Sequence, residues 1–325
     1  MAQSLQSDFK IYQAQFEGAF VETLVQNTMA FNAASRGAIT LDSRFIKGNF
    51  EYENMWDVDS SLVTRRDTTD ASAIGDTALT QDEFIGVKLD RKVGPKGVSL
   101  DAMKKQGRDP RSASQIIGAM AAKAVAVDQL NAGLLACEGA LDAVTALEHD
   151  ATDGTIATTD LASGLSKFGD AAQQIVAWVM HSKPFYDLVI NQIATTGTPF
   201  AAWGIQILNG IPASLGRPII VTDSSALVEA VNSTTTHYST LGLTAGGIML
   251  TLSETPTMVA ELVTGHENMF YRIQGEHSYN VKLRGLKWKV ASGNNPNDAA
   301  LGLGSNWEAS VTSNKNKPGV IIKSL

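Results

Sequence analysis

Four carboxylates, Glu51, Glu53, Asp57 and Asp59, fall at odd positions of the run 50–59. Closely spaced carboxylates suggest general acid and base work. On a strand, however, residues two apart project in parallel from one face and do not converge on a substrate. The pattern therefore predicts a solvated or interface face rather than a catalytic centre. His266-Glu267 and Glu276-His277 flank a predicted strand–turn–strand and come nearest to a metal-binding set, but they read as solvated loop residues. Pro212-Ala-Ser214-Leu-Gly216 has the outline of a nucleophile elbow without its first glycine, and a strand rather than a helix follows it, so it reads as a turn. Gly242, Gly246 and Gly247 lack dinucleotide-binding spacing, and His149, His181 and His237 are scattered with no orienting partner. There is no phosphate-binding loop, no His-Glu-x-x-His and no paired-cysteine motif. No catalytic, cofactor or metal residue is assigned, and the predicted chain is not an enzyme.

The elements that hold these charges say more than the charges do. In 50–59, Phe50, Tyr52, Trp56 and Val58 share the strand face opposite the four acids. A second alternating run, 84–93, sets Ile85, Val87, Leu89 and Val93 against Lys88 and Lys92. The polar stretch 60–83 joins the two, which predicts a long two-stranded arm closed by the turn signal Gly94-Pro95-Lys96-Gly97. A lone hairpin is marginal in water, so this one must lie on something, and a neighbouring molecule is the candidate. Near the C-terminus, Val281, Leu283, Leu286, Trp288 and Val290 alternate with a one-residue slip at Gly285. A bulge there would gather Lys282, Arg284, Lys287 and Lys289 on one face. That face could bind phosphate or be the wet side of a half-buried sheet.

Between these regions the apolar spacing predicts helices and strands. Residues 6–34 carry a helical stripe of Phe9, Tyr12, Phe16, Phe20 and Leu24, widened by Val21 and Val25 and ended by Gly37. Docking on the chain's own core is the simpler reading of this stripe. Asp109-Pro110 starts a long helix with Ile116, Ile117, Met120, Ala124, Val127, Leu130, Leu134 and Leu135 as its stripe. If unbroken to Leu147 it would run about 55 Å, with Gly133 and Gly139 as possible early stops. After a turn-rich linker at 149–160 come helix 160–173, strand 175–180, helix 183–193, strand 218–222, a helical 225–232, a strand-like 238–252 and a closing strand 318–323.

Composition narrows the class. The 325 residues are 44% hydrophobic but only 18% charged, with net charge −7 and a single Cys137. Mean hydropathy is −0.03 and the isoelectric point about 5.3. Low charge suits a chain that buries its exterior against copies of itself, and the acidic balance argues against a nucleic-acid reader. The predicted chain has no internal disulfide, no signal peptide and no membrane span.

Several segments, taken in order, resemble the major capsid proteins of tailed bacteriophages. They are Thr80-Gln-Asp-Glu-Phe with Val87-Lys-Leu, Gly94-Pro and Gly107-Arg-Asp-Pro110, followed by Val179-Met-His-Ser182, Asp187-Leu and Gly210-Ile-Pro. Leu215-Gly-Arg-Pro-Ile-Ile-Val-Thr-Asp-Ser224 and Gly265-His-Glu-Asn-Met-Phe-Tyr-Arg-Ile-Gln-Gly-Glu complete the series. The resemblance spans about residues 5–310. It implies an α+β, Hong Kong 97-like fold in which 1–49 form an N-terminal arm and 50–106 an extended hairpin loop. Residues 107–150 and 265–325 would form a peripheral domain with a spine helix and antiparallel sheet, and 151–264 an α/β axial domain. It also implies pentamers and hexamers in an icosahedral shell around double-stranded DNA, held without sequence-specific contacts. Shell assembly would take place in the host cytoplasm, with a portal and with scaffolding or decoration proteins as partners. Some relatives crosslink through Lys–Asn isopeptide bonds, but those residues cannot be matched here. The expected interface is Phe50, Glu51, Tyr52, Glu53, Trp56, Asp57 and Asp59, with Lys88 and Lys92, laid on the Lys282, Arg284, Lys287 and Lys289 face of a neighbour. A nanocompartment shell of the same fold around enzyme cargo, or a hydrolase built on 160–255, are the alternatives.

Overall fold

The computed structural model describes residues 35–56, 81–99, 110–196, 215–230, 235–267 and 269–325, with isolated positions before residue 34 and between 63 and 75. Two sheets and one long helix organise them.

The first sheet is built from β1 (Ile39–Ser43), β2 (Phe50–Trp56), β3 (Gln81–Ser99), β9 (Ile248–Val263), β10 (Phe270–Leu283), β11 (Leu286–Trp288) and β12 (Trp307–Ala309). Its strands run β1-β9-β10-β11-β12, with β3 on the other edge of β10 and β2 outside β3. The two alternating runs do pair as an antiparallel ribbon, Phe50 opposite Val87 and Tyr52 opposite Ile85. Ile85, Val87 and Leu89 are buried, as their period-two spacing predicts. The second sheet holds β4 (Glu148–Ala151), β5 (Ile175–Met180), β6 (Ile219–Val221), β7 (Val228–Ala230), β8 (Thr236–Thr244) and β13 (Gly319–Ser324). Its order is β4-β13-β8-β5-β6, with β7 beside β8. Helices α2 (Thr158–Ser166) and α3 (Ser182–Thr196) accompany this sheet, and the short α4 (Asp298–Leu301) precedes β12.

Helix α1, Pro110–Asp142, is 33 residues long, about 50 Å at 1.5 Å per residue. Neither Gly133 nor Gly139 ends it. Gly133 instead admits Ile248 and Leu250, and Gly139 lies against the backbone of Gly302. Leu134 and Leu141 of α1 join Trp178 and Ile321 of the second sheet and Val281 of the first in one continuous core. The predicted helix stripe is only partly the buried one. Leu134 is buried, but Ile116, Met120 and Val127 are exposed, and Ala122, Val125, Ala132 and Ala136 face inward. Small side chains let the helix lie close to its sheet, which leaves the bulkier ones outside.

Four local readings differ for definable reasons. Gly94-Pro95 does not close the ribbon: β3 runs through it to Ser99, and the pairing with β10 shifts register there. Gly94 has φ +80° and passes so near the carbonyl of Ile273 that a Cβ would sit 2.6 Å from it, which marks a bulge. Conversely, Gly285 (φ +70°) is no bulge but lies in a two-residue turn that pairs Leu283 with Leu286. Gly246 and Gly247 divide the 238–252 run into β8 and β9, which belong to different sheets. The predicted helices at 160–173 and 225–232 break up into α2 plus a 3₁₀ segment, Gly169–Gln174, and into a 3₁₀ turn, Ser225–Leu227, plus β7. Most of the 6–34 helix, and Pro212–Ser214, lie outside the described residues. The stop at Gly37 is seen: its φ is +74°, and its N–H donates to the Asn32 carbonyl at 3.2 Å.

Candidate functional site

The base of the ribbon is where the predicted charges meet. Strand β3 lies between β2 and β10, and Gly86 in its middle faces Glu51 on one side and Lys282 on the other, where a Cβ would approach the Lys282 Cβ to 3.2 Å. Without a side chain at 86, Glu51 and Lys282 reach each other across the intervening strand. Lys282 Nζ is 3.4 Å from Glu51 Oε1 and also contacts Glu53. Asn280 Nδ2 donates to Glu51 Oε2 at 3.2 Å, and the Arg44 guanidinium closes the other side. Glu51 and Lys282 are only 7% and 5% exposed.

This burial reverses the expected faces at the base of β2. The acid is inside, whereas Tyr52 is 56% exposed and stacks edge-on against Phe50 at 6.4 Å. Segment 44–49 explains the reversal: it crosses the polar face, with Arg44 N–H on the Leu252 carbonyl, Ser253 Oγ on the Ile46 carbonyl and Lys88 N–H on the Asn49 carbonyl. Charges beneath such a cover must pair to stay ionised.

Four more of the predicted basic residues, Lys88, Arg284, Lys287 and Lys289, also find partners inside the chain. Lys88 pairs with Glu254 at 2.6 Å and Lys287 with Asp82 at 2.9 Å. Arg284 donates to the Ala245 carbonyl and Lys289 to the Ser305 carbonyl. The hydrogen bond from Lys282, opposed by burial, holds the Glu53 carboxyl below its ordinary pKa. Asp82 is likewise lowered, because hydrogen bonds from Lys287 and the Glu83 N–H outweigh desolvation. Its partner Lys287 is raised, chiefly by the hydrogen bond to Asp82. The acid–base pairing expected between subunits is thus made within one chain for Glu51, Glu53 and Lys282. Lys92 is exposed. Asp57, Asp59 and the Trp56 side chain lie outside the described residues. Sequence reasoning missed Arg44, Gly86, Asn280 and Asp82. Gly86 carried a usable signal, since a glycine inside a strand pattern marks a close approach.

The other motifs do not assemble into chemistry. His266, Glu267 and Glu276 are exposed, whereas His277 is buried, so these two pairs do not face one another as ligands. Among the described residues no three His, Cys, Asp or Glu side chains form a metal-binding group. Ser182, His181 and Asp223 come together, His181 Nε2 lying 3.6 Å from Asp223. However, His181 Nδ1 accepts the Lys183 N–H at 3.2 Å at the start of α3. Ser182 hydrogen-bonds the Asp223 carboxylate and lowers its pKa. This is a helix cap rather than a nucleophile with its base. Cys137 is fully buried, and desolvation raises its thiol pKa far above neutrality. Among the described residues no helix is long and apolar enough to cross a membrane.

The two-sheet architecture and spine helix are those of a phage capsid subunit. Residues 8–321 match the Gp13-like family, described as major capsid protein 13-like, and the chain belongs to that family. Its fold is Hong Kong 97-like. It is similar to a subunit of the cyanophage Pam1 capsid asymmetric unit, with TM-score 0.53 and 9% identity over 88% of each chain. A chain from Mycobacterium phage Adephagia superposes with TM-score 0.51 and 11% identity over 90% of each. At such identities the likeness is one of fold. No curated protein matches the sequence.

Proposed function

We propose that this major capsid protein assembles through pentamers and hexamers into an icosahedral shell that encloses packaged double-stranded DNA without sequence-specific contacts. Residues 1–49 act as the N-terminal arm, 50–106 as the extended loop, 107–150 and 265–325 as the peripheral domain and 151–264 as the axial domain. The observation that carries this reading is the family match over residues 8–321. A long ribbon anchored by its own chain at the base is well suited to reach a neighbour with its outer part. Since Glu51, Glu53, Lys88, Lys282 and Lys287 pair within the chain and Phe50 packs against the chain's own core, the ribbon's hold on a neighbour falls to exposed Tyr52, with Trp56, Asp57, Asp59 and Lys92 beside it. Exposed ion pairs contribute about 0–1 kcal/mol each, so the aromatics supply most of the adhesion. Repetition around a closed shell makes a modest contact sufficient. Assembly takes place in the host cytoplasm, with a portal and with scaffolding or decoration proteins as partners.

Negative-stain microscopy of particles purified from infected or expressing cells, with nuclease-protected DNA measured alongside, tests the proposal. Closed shells containing DNA are expected. Shells filled with enzyme would indicate a nanocompartment, and a monomer active on a generic ester would overturn the structural reading.

A further inference from the structure

Helix α1 is held down unequally along its length. Its second half, with Leu134 and Leu141, belongs to the main core. Its first half rests on a separate cluster whose buried members, among the described residues, are Ala122, Val125, Met258 and Ile273. A groove of about 580 Å³ runs beside that cluster, between the helix and strands β3 and β10. A satellite cluster this small opens at less cost than the main core.

Under the first half of α1 sits His277, only 5% exposed, with neither ring nitrogen hydrogen-bonded. Its ring stacks on that of Tyr279 at 5.8 Å. Directly across on β3 is Arg91, so a charge on the imidazole would face a guanidinium on the same side of the sheet. The nearby carboxylate of α1, Asp128, is already engaged. It accepts the Tyr279 hydroxyl at 2.8 Å and lies 3.4 Å from Arg91. Asp298 of α4 is likewise paired with Arg91. Strand β3 adds two more cations, Lys92 and Lys96, along the groove. Glu276 lies opposite Lys92, on the other face of β10. On β9 the register shift beside His277 holds Thr255 and Pro256, which carry no charge, and Glu254 pairs with Lys88. Burial, and then Arg91, hold the imidazole below its ordinary pKa against the pull of Asp128. A proton on His277 therefore finds no acceptor in place and sets a second cation beside Arg91, out of reach of water.

We propose that His277 is an acid-sensitive latch for the first half of α1. Neutral, it lets that half lie on the sheet; protonated, it releases that half while the second half stays in the main core. The latch belongs to the single subunit and stands apart from the capsid reading. Above the ordinary imidazole pKa of about 6.5, His277 is neutral in the open and closed forms alike, and pH does not act through it. Below that value the open form takes up a proton that the closed form excludes. The open fraction then grows about tenfold per pH unit until the pKa of the closed form is reached.

Hydrogen exchange of dilute full-length chain between pH 7 and pH 5, corrected for intrinsic rates and read by mass spectrometry, tests the latch. Peptides from 116–128 report the first half of α1, and peptides from 134–142 serve as the internal reference. The ratio of their exchange rates should rise about tenfold or more over that range. It should stay flat in His277→Phe, which keeps a stacking ring but cannot take a proton. A constant ratio in the native chain, or an equal rise in His277→Phe, overturns the proposal. Where the phenylalanine ring is not accommodated, the imidazole resonances of the native chain decide. A His277 midpoint below about 6.5 is expected, and a midpoint at or above that value overturns the latch.

Discussion

Lys282→Met should lower the stability of the isolated chain by about 3 kcal/mol, because it leaves the Glu51 carboxylate buried without its closest buried cation. Arg44 remains beside Glu51 but is itself largely solvated, which places the loss at the low end of what breaking a buried pair costs. Unfolding in urea, followed by tryptophan fluorescence, measures the change. Adding Glu51→Met to the same chain removes the stranded charge and should return stability to within about 1 kcal/mol of the original. If the double variant is as unstable as the sum of the single ones, the two charges do not act as a pair. A loss under about 0.5 kcal/mol for Lys282→Met alone would show that the buried pair is not what fastens the ribbon.

Gly139→Ala should be the most damaging conservative change in the spine helix. Alanine in a helix interior is worth about 1 kcal/mol over glycine, so the exchange is favourable locally. At this position, however, a Cβ would stand 1.9 Å from the Gly302 carbonyl oxygen and 2.5 Å from its carbon. Both are backbone atoms that cannot rotate away, and forcing extra volume into a close-packed contact costs about 1–3 kcal/mol or more. A net loss of about 2 kcal/mol is therefore expected in thermal or urea unfolding. Gly154→Ala, where a Cβ meets nothing within 4 Å, serves as the control. Equal stability of the two variants would mean that α1 and the 302 turn separate easily.

Where a segment's environment matches its pattern, its structure was legible. Strand 175–180 is a short apolar run, and β5 occupies those six residues. Asp109-Pro110 announces the start of α1 because proline suits only the first turn. Misreadings arose where one residue type serves two geometries. Glycine with positive φ closes a turn at 285 and makes a bulge at 94, and only the partner strand distinguishes them. The inversion at Glu51 and Tyr52 has another origin. Alternation tells which residues share a face, but segment 44–49 decides which face is covered, and that crossing is a tertiary event. The ion pair itself was half legible: both charged runs were visible, but their meeting within one chain depends on Gly86 sitting between them.

The central claim is that the ribbon is anchored by its own subunit and covered by another. Arg65 and Arg66, between β2 and β3, are exposed in the single chain and offer trypsin a site. Cleavage there, timed on dilute subunits and on assembled shells of the same chain, reads the claim directly. The account predicts rapid cutting in the dilute subunit and slowing by about tenfold or more in the shell, since protease follows the population of uncovered chain. Equal rates in both, or a dilute subunit that resists cleavage, would contradict it.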